Sequence, residues 1–151
     1  MNSKICVVNK NNNARLILTK SSCDHDTSPG IGFSGGSPYI SIPINDLVKS
    51  FESATEFSRE ALETALRDSL INEYGLCRDL DIEVSGDLIK IRLINLLQEP
   101  LKKYINRPID PYVVLTLISL ARAVGSSSIQ LISRSYENSD LEIRARVIRN
   151  A

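Results

Sequence analysis

A chain of 151 residues, 42% hydrophobic and 24% charged, has the length and balance of one globular domain and can bury a core without metal or disulfide staples. It has no Trp and only 5% aromatic residues, so that core must be aliphatic. Three isolated cysteines, Cys6, Cys23 and Cys77, show no CxxC spacing, which argues against a disulfide framework and against a zinc site.

In chain order, residues 4–20 read as a β-hairpin. "KICVV" and "ARLILTK" are rich in strand formers, and "NKNNN" between them is turn chemistry. From 21 to 38 the composition shifts to Ser, Gly, Asp and Pro, with four of the seven glycines between 30 and 36. This reads as one long loop, and loops of that length inside a domain tend to be functional or disordered. "YISIP" follows as a short strand. Ile44, Leu47, Val48 and Phe51 recur at helical spacing, and Ser53 with Glu56 forms a capping-box signature. The main helix is expected over 54–74. Its apolar stripe includes Leu62, Leu66 and Leu70, Glu63 and Arg67 pair at i,i+4, and Gly75 ends it in a left-handed conformation.

"DLDIEVSGDLIKIRLI" is a second hairpin, with Ile89, Ile91 and Leu93 pointing one way and Lys90 and Arg92 the other. "NLLQEPLKKYINRP" reads as a Pro-interrupted helical segment. Asp110-Pro111 then opens a helix with a side-chain cap and a proline where no N–H is needed. "YVVLTLISLARAV" is apolar nearly all round, so this helix is buried; Gly125 closes it. "SSIQLISRSY" and "DLEIRARVIR" form a last hairpin around "ENSD".

Residues 54–95 and 111–150 both run helix, Gly, strand, turn, strand. The expected fold class is therefore α+β in a single domain, 1–151. An N-terminal hairpin precedes a duplicated α-β-β unit, giving a mainly antiparallel sheet with helices on one face. The order α-β-β-α-β-β resembles roadblock/longin-type modules, and that resemblance implies a dimeric regulator without catalytic residues. The N-terminal hairpin and the glycine-rich loop depart from the pattern.

"SPGIGFSGGSP" contains G-x-G-x-x-G at Gly30, Gly32 and Gly35. A dinucleotide fingerprint needs a strand before it and a helix opening on its last glycine. "CDHDTSP" precedes and a strand follows, so no cofactor is expected. What remains is a loop able to close over a ligand. Cys23 and His25 lie side by side with Asp24 and Asp26. Adjacent residues rarely ligate one metal, so no metal site is expected. An enzyme using Cys23 or His25 stays an alternative without a GxSxG elbow to support it.

Net charge is zero but uneven. Residues 1–45 carry four bases and two acids, 46–87 four bases and eleven acids, and 88–151 ten bases and five acids. Lys90, Arg92, Arg134, Arg144 and Arg146 would share one sheet face if both hairpins lie in one sheet. Such a face could take phosphates. No aromatics interleave with these bases, as stacking on single-stranded nucleic acid needs, so nucleic acid is not the favoured partner. No stretch spans a membrane: the apolar run 113–124 is interrupted by Thr116, Ser119 and Arg122. The N-terminus does not read as a signal peptide, and a cytoplasmic location is the default.

These features point to a non-enzymatic interaction or regulatory module that forms a homo-oligomer, with the acidic helix 54–74 of one copy near the basic face of another. The alternatives are a small-molecule sensor with the 21–38 loop as lid, and the Cys23/His25 enzyme.

Overall fold

A computed structural model describes residues 4–10, 13–19, 30–34, 37–44, 58–105, 107, 109–124 and 128–148. Its strands are β1 (Lys4–Lys10), β2 (Asn13–Thr19), β3 (Gly30–Ser34), β4 (Ser37–Pro43), β5 (Cys77–Ser85), β6 (Leu88–Leu96), β7 (Ser128–Glu137) and β8 (Asp140–Ile148). They form one antiparallel sheet in the order β3-β4-β2-β1-β7-β8-β6-β5. Two longer helices, α1 (Arg59–Leu66) and α2 (Pro111–Val124), pack against each other. α1 lies on β5, and α2 lies on β7 and β1. This is the expected α+β architecture at the level of a mainly antiparallel sheet with a few helices.

Period-two alternation sorts each strand. Leu80 and Ile82 on β5, Ile89, Ile91 and Leu93 on β6, and Leu141, Ile143, Ala145 and Val147 on β8 all enter one core with Leu62, Leu66 and Leu70 of the α1 helix. α2 is buried on most sides, as its composition demands: Val113, Leu117, Leu120 and Ala121 are fully enclosed. Asp110 caps it by accepting from the Tyr112 N–H at 3.1 Å.

The first helix starts later than the stripe predicted. Ser58, in extended backbone, is its N-cap and accepts from the Ala61 N–H at 3.1 Å. A serine hydroxyl that satisfies an orphan amide ends the helix N-terminally there, even though the apolar pattern continues upstream. The Ser53/Glu56 capping box and the pattern from 45 to 51 lie outside the described residues. α1 runs on into a π-helical turn, Arg67–Glu73. The Leu76 N–H then bonds back to the Leu70 carbonyl at 2.8 Å. This reversal requires a left-handed residue, and Gly75 supplies it with φ +60°.

Three expectations are corrected. Part of the 21–38 loop is not a loop: Gly30–Ser34 and Ser37–Pro43 are paired strands, with Ile31 opposite Ile40 and Gly32 opposite Tyr39. Among the described residues between Leu96 and Pro111 none is α-helical. Gln98 takes φ +67°, and a 3₁₀ segment follows at Glu99–Tyr104, where Pro100 cannot serve an α-helical interior. Finally, Cys6 is disulfide-bonded, with its partner outside the described residues, while buried Cys77 is a free thiol. Isolated cysteines in sequence can still meet in space, which spacing rules do not see. Among the described residues, no helix is long and apolar enough to cross a membrane.

Candidate interaction surfaces

The face of the sheet opposite the helices carries alternating charge rather than a basic patch. Lys90 on β6 stands opposite Arg144 on β8, but its ammonium lies 3.5 Å from Glu142 and 3.8 Å from Glu83. Arg144 also reaches Glu142, at 3.4 Å. Arg92 donates to Asp140 at 3.0 Å, and the Asn95 N–H donates to the other oxygen of that carboxylate at 2.9 Å. These two donors hold the Asp140 carboxyl below the usual carboxylate range, the Asn95 amide more strongly than the guanidinium. A depression of about 230 Å³ on this face is lined by Asp81, Glu83, Lys90 and Arg92, two acids against two bases. Arg146, opposite Leu88 and Gln130, belongs to the same face.

Arg134 does not join the other four. β7 carries a bulge between Leu131 and Ser133, so Ile132 has no partner in the ladder. One extra residue moves every later side chain to the other face. Ser133 therefore stands opposite Arg144, whereas Arg134 stands opposite core residue Ile143. Arg134 points to the helix side, where it donates to the Arg107 carbonyl at 3.0 Å and lies 3.8 Å from Asp110. Asp110 is wholly buried and also accepts from the Tyr136 hydroxyl. Burial, aided by this bond, pushes the Tyr136 hydroxyl strongly up in pKa. The cluster ties β7 to the start of α2. Its buried carboxylate accepts from the Tyr112 N–H and the Tyr136 hydroxyl and has the Arg134 guanidinium beside it at 3.8 Å, which compensates a charge in a low-dielectric site.

Among the described strands, β5 and β3 stand at the two ends of the sheet, and these edges differ. At β5, Arg59 donates to the Ile82 carbonyl at 3.2 Å, and Arg67 donates to the Leu80 carbonyl at 2.9 Å and to Asp79 at 2.7 Å. Helical guanidinium groups thus occupy backbone acceptors that a foreign strand would use. At β3 the chain carries no charge for nineteen residues, from 27 to 45. Ile31, Ile40, Leu18 and Ile5 form one row across four strands on the helix-bearing face. Their exposures run 83%, 39%, 8% and 3%. The apolar layer continues past the helices and surfaces at β3 and β4, where Phe33 (78% exposed) and Ile42 extend it.

Of the predicted loop residues, Gly30 and Gly32 lie in β3, in a strand and not at a helix start; Gly35, Cys23 and His25 lie outside the described residues. Gly32 has a packing reason. A Cβ there would sit 2.6 Å from the Tyr39 hydroxyl oxygen and 2.7 Å from its ring, so the phenol lies over the glycine across the strand pair. The sequence reading missed Ile31 and Phe33. The available signal was the alternation I-G-F beside an uncharged run. Among the described residues, no group of three or more acidic, His or Cys side chains could hold a metal.

The α-β-β-α-β-β element order is present, but the sheet continues beyond it through β1 to β4. No protein-family model, no curated protein and no solved structure matches this chain.

Proposed function

We propose that the protein is a non-enzymatic interaction module with a regulatory role, and that it self-associates through the β3–β4 end of its sheet. One observation carries the reading: Ile31 and Phe33 are large, apolar and four-fifths exposed on an uncharged edge strand. Monomers rarely leave a long apolar edge open, because it templates pairing with another chain. The ion pairs on the open face weigh against the rival contact, acidic helix on basic face, since Lys90, Arg92 and Arg144 already have carboxylates beside them.

The test is mass by light scattering over a concentration series. Ile31→Lys with Phe33→Lys should leave a monomer, and raised salt should not weaken the parent's association, because apolar burial is not screened. If Arg144→Glu with Arg146→Glu dissociates the protein and the lysine pair does not, the charged contact is the correct one.

Two finer readings accompany this one. The stretch β7-β8-β6-β5 is palindromic: second strands pair at the centre, first strands lie outside, and the helices touch on one face. This arrangement supports a duplicated α-β-β unit. The cytoplasmic location has to meet the Cys6 disulfide, because reducing compartments keep thiols reduced. Because Cys6 is buried, alkylation of unreduced cell extract under denaturing conditions, followed by mass measurement, distinguishes the two: a labelled Cys6 supports the cytoplasm and a protected one an oxidising compartment.

A further inference from the structure

We propose that two copies join edge to edge through β3, antiparallel about a two-fold axis at Gly32, so that Ile31 of each copy pairs with Phe33 of the other. The inference rests on the self-association reading and specifies its geometry.

The backbone sets the register. In an antiparallel ladder, hydrogen-bonded pairs exchange both N–H···O bonds and alternate with pairs that exchange none. Phe33 stands opposite Pro38, which has no N–H, so this is a pair of the second kind. By alternation Ile31 and Ile40 are the same, while Gly30, Gly32 and Ser34 turn their backbone groups to β4. The N–H and C=O of Ile31 and of Phe33 therefore point away from the sheet. Around a two-fold axis at Gly32, Ile31 of one copy exchanges both bonds with Phe33 of the other, and the reverse pair repeats this. All four outward groups on each copy are satisfied.

Side chains agree with that register. Gly32 pairs with its own copy at the axis, in the close kind of pair with Cα atoms about 4.5 Å apart. It brings no side chain, and Tyr39 already fills the space a Cβ would take. Ile31 and Phe33 then meet on the helix-bearing face as aromatic and β-branched neighbours, a favourable cross-strand combination. No charge between residues 27 and 45 opposes the approach of an identical strand. Closure follows too. The β5 edge is occupied by Arg59 and Arg67, so pairing at β3 stops at two copies and does not propagate into a filament.

The experiment uses the full chain with single cysteines under mild oxidation, with the parent, whose Cys77 is buried, as control. Mixing Ile31→Cys with Phe33→Cys should cross-link, whereas each variant alone should not. Phe33→Pro removes one outward N–H per copy but leaves the ladder to β4 intact. It should weaken dimerisation roughly tenfold or more through two lost hydrogen bonds, with an unchanged urea midpoint showing that the monomer still folds. A dimer whose variants cross-link only to themselves overturns the register and keeps self-association. A monomer at every concentration overturns both, and leaves the edge to a strand of another protein.

Discussion

At the β5 edge the outward carbonyls of Leu80 and Ile82 are filled by Arg67 and Arg59, and Asp79, Asp81 and Glu83 line the strand with charge. At the β3 edge the side chains alternate between glycine and a large apolar group, and no described side chain there is charged. Both strands end the same sheet, so neither intrinsic pairing nor core composition separates them. The difference lies in what covers them. A helix runs beside β5 and supplies long cationic side chains, while the described helices pack on β5, β7 and β1. An edge protected in this way is finished as part of a monomer. An edge left apolar and uncharged lacks those protections against pairing with another strand.

Truncation should separate the ends most. Leu80→Ala on β5 and Leu117→Ala on α2 remove fully enclosed core side chains and should each cost about 2–5 kcal/mol in urea unfolding. Ile31→Ala at low protein concentration should cost under about 0.5 kcal/mol, the range of exposed sites. A large loss at Ile31 in the monomer would mean that its side chain packs within the chain, and the contrast would disappear.

Uncovering the protected edge is the next test. Arg59→Ala with Arg67→Ala frees two carbonyls and the Asp79 carboxylate. Both guanidinium groups are well exposed, so after screening by water the loss should be about 1 kcal/mol. The larger effect should be on state of assembly: the double variant should grow beyond a dimer in light scattering, because both edges would then be open.

pH should also act at one end only. Arg67 and the Leu80 N–H hold the Asp79 carboxyl low, the guanidinium more strongly, and Asp140 is held low as well. A lowered carboxyl stabilises the fold above the ordinary carboxylate range, and that contribution is lost as pH falls through it. Burial raises the Cys77 thiol from 9.0 to about 11 and raises Tyr136 further. Groups kept protonated by the fold contribute fully below their unfolded pKa, so stability should decline as pH rises from about 9 towards 11. Urea midpoints from pH 8 to 10.5 should show this, with a flatter profile for Cys77→Ala. Apart from Tyr39, no titratable side chain lies between residues 30 and 44, so dimer mass should hold steady between pH 6 and 9. The smallest effect belongs to Gly32→Ala. Its Cβ would displace only the mobile end of Tyr39, so stability should move by less than about 0.5 kcal/mol while the Tyr39 ring resonances shift.

Much of the fold could be read in advance, and the reasons are local. Asp110-Pro111 starts α2 because cap and proline act within one turn. Gly75 ends the first helix because a left-handed φ excludes most other residues. Ile89, Ile91 and Leu93 declare their face through strand alternation. The misreadings share a cause as well. "GIGFSGG" has poor strand propensity, and β3 is a strand through its pairing with β4, with Ile31 opposite Ile40 and Gly32 opposite Tyr39. The surface reading placed Arg134 with Lys90 and Arg144 by assuming unbroken alternation, which a single bulged residue at Ile132 undoes.

By itself, then, the sequence determined the elements with short-range causes: caps, turns, periodicity and an aliphatic core without tryptophan. Which strands neighbour one another was decided only in three dimensions. That choice brought Glu142 to Lys90, Arg67 to the Leu80 carbonyl, and an uncharged strand to the end of the sheet. Strand order depends on how apolar rows from distant segments share one face beneath two helices, and no window of sequence contains that information.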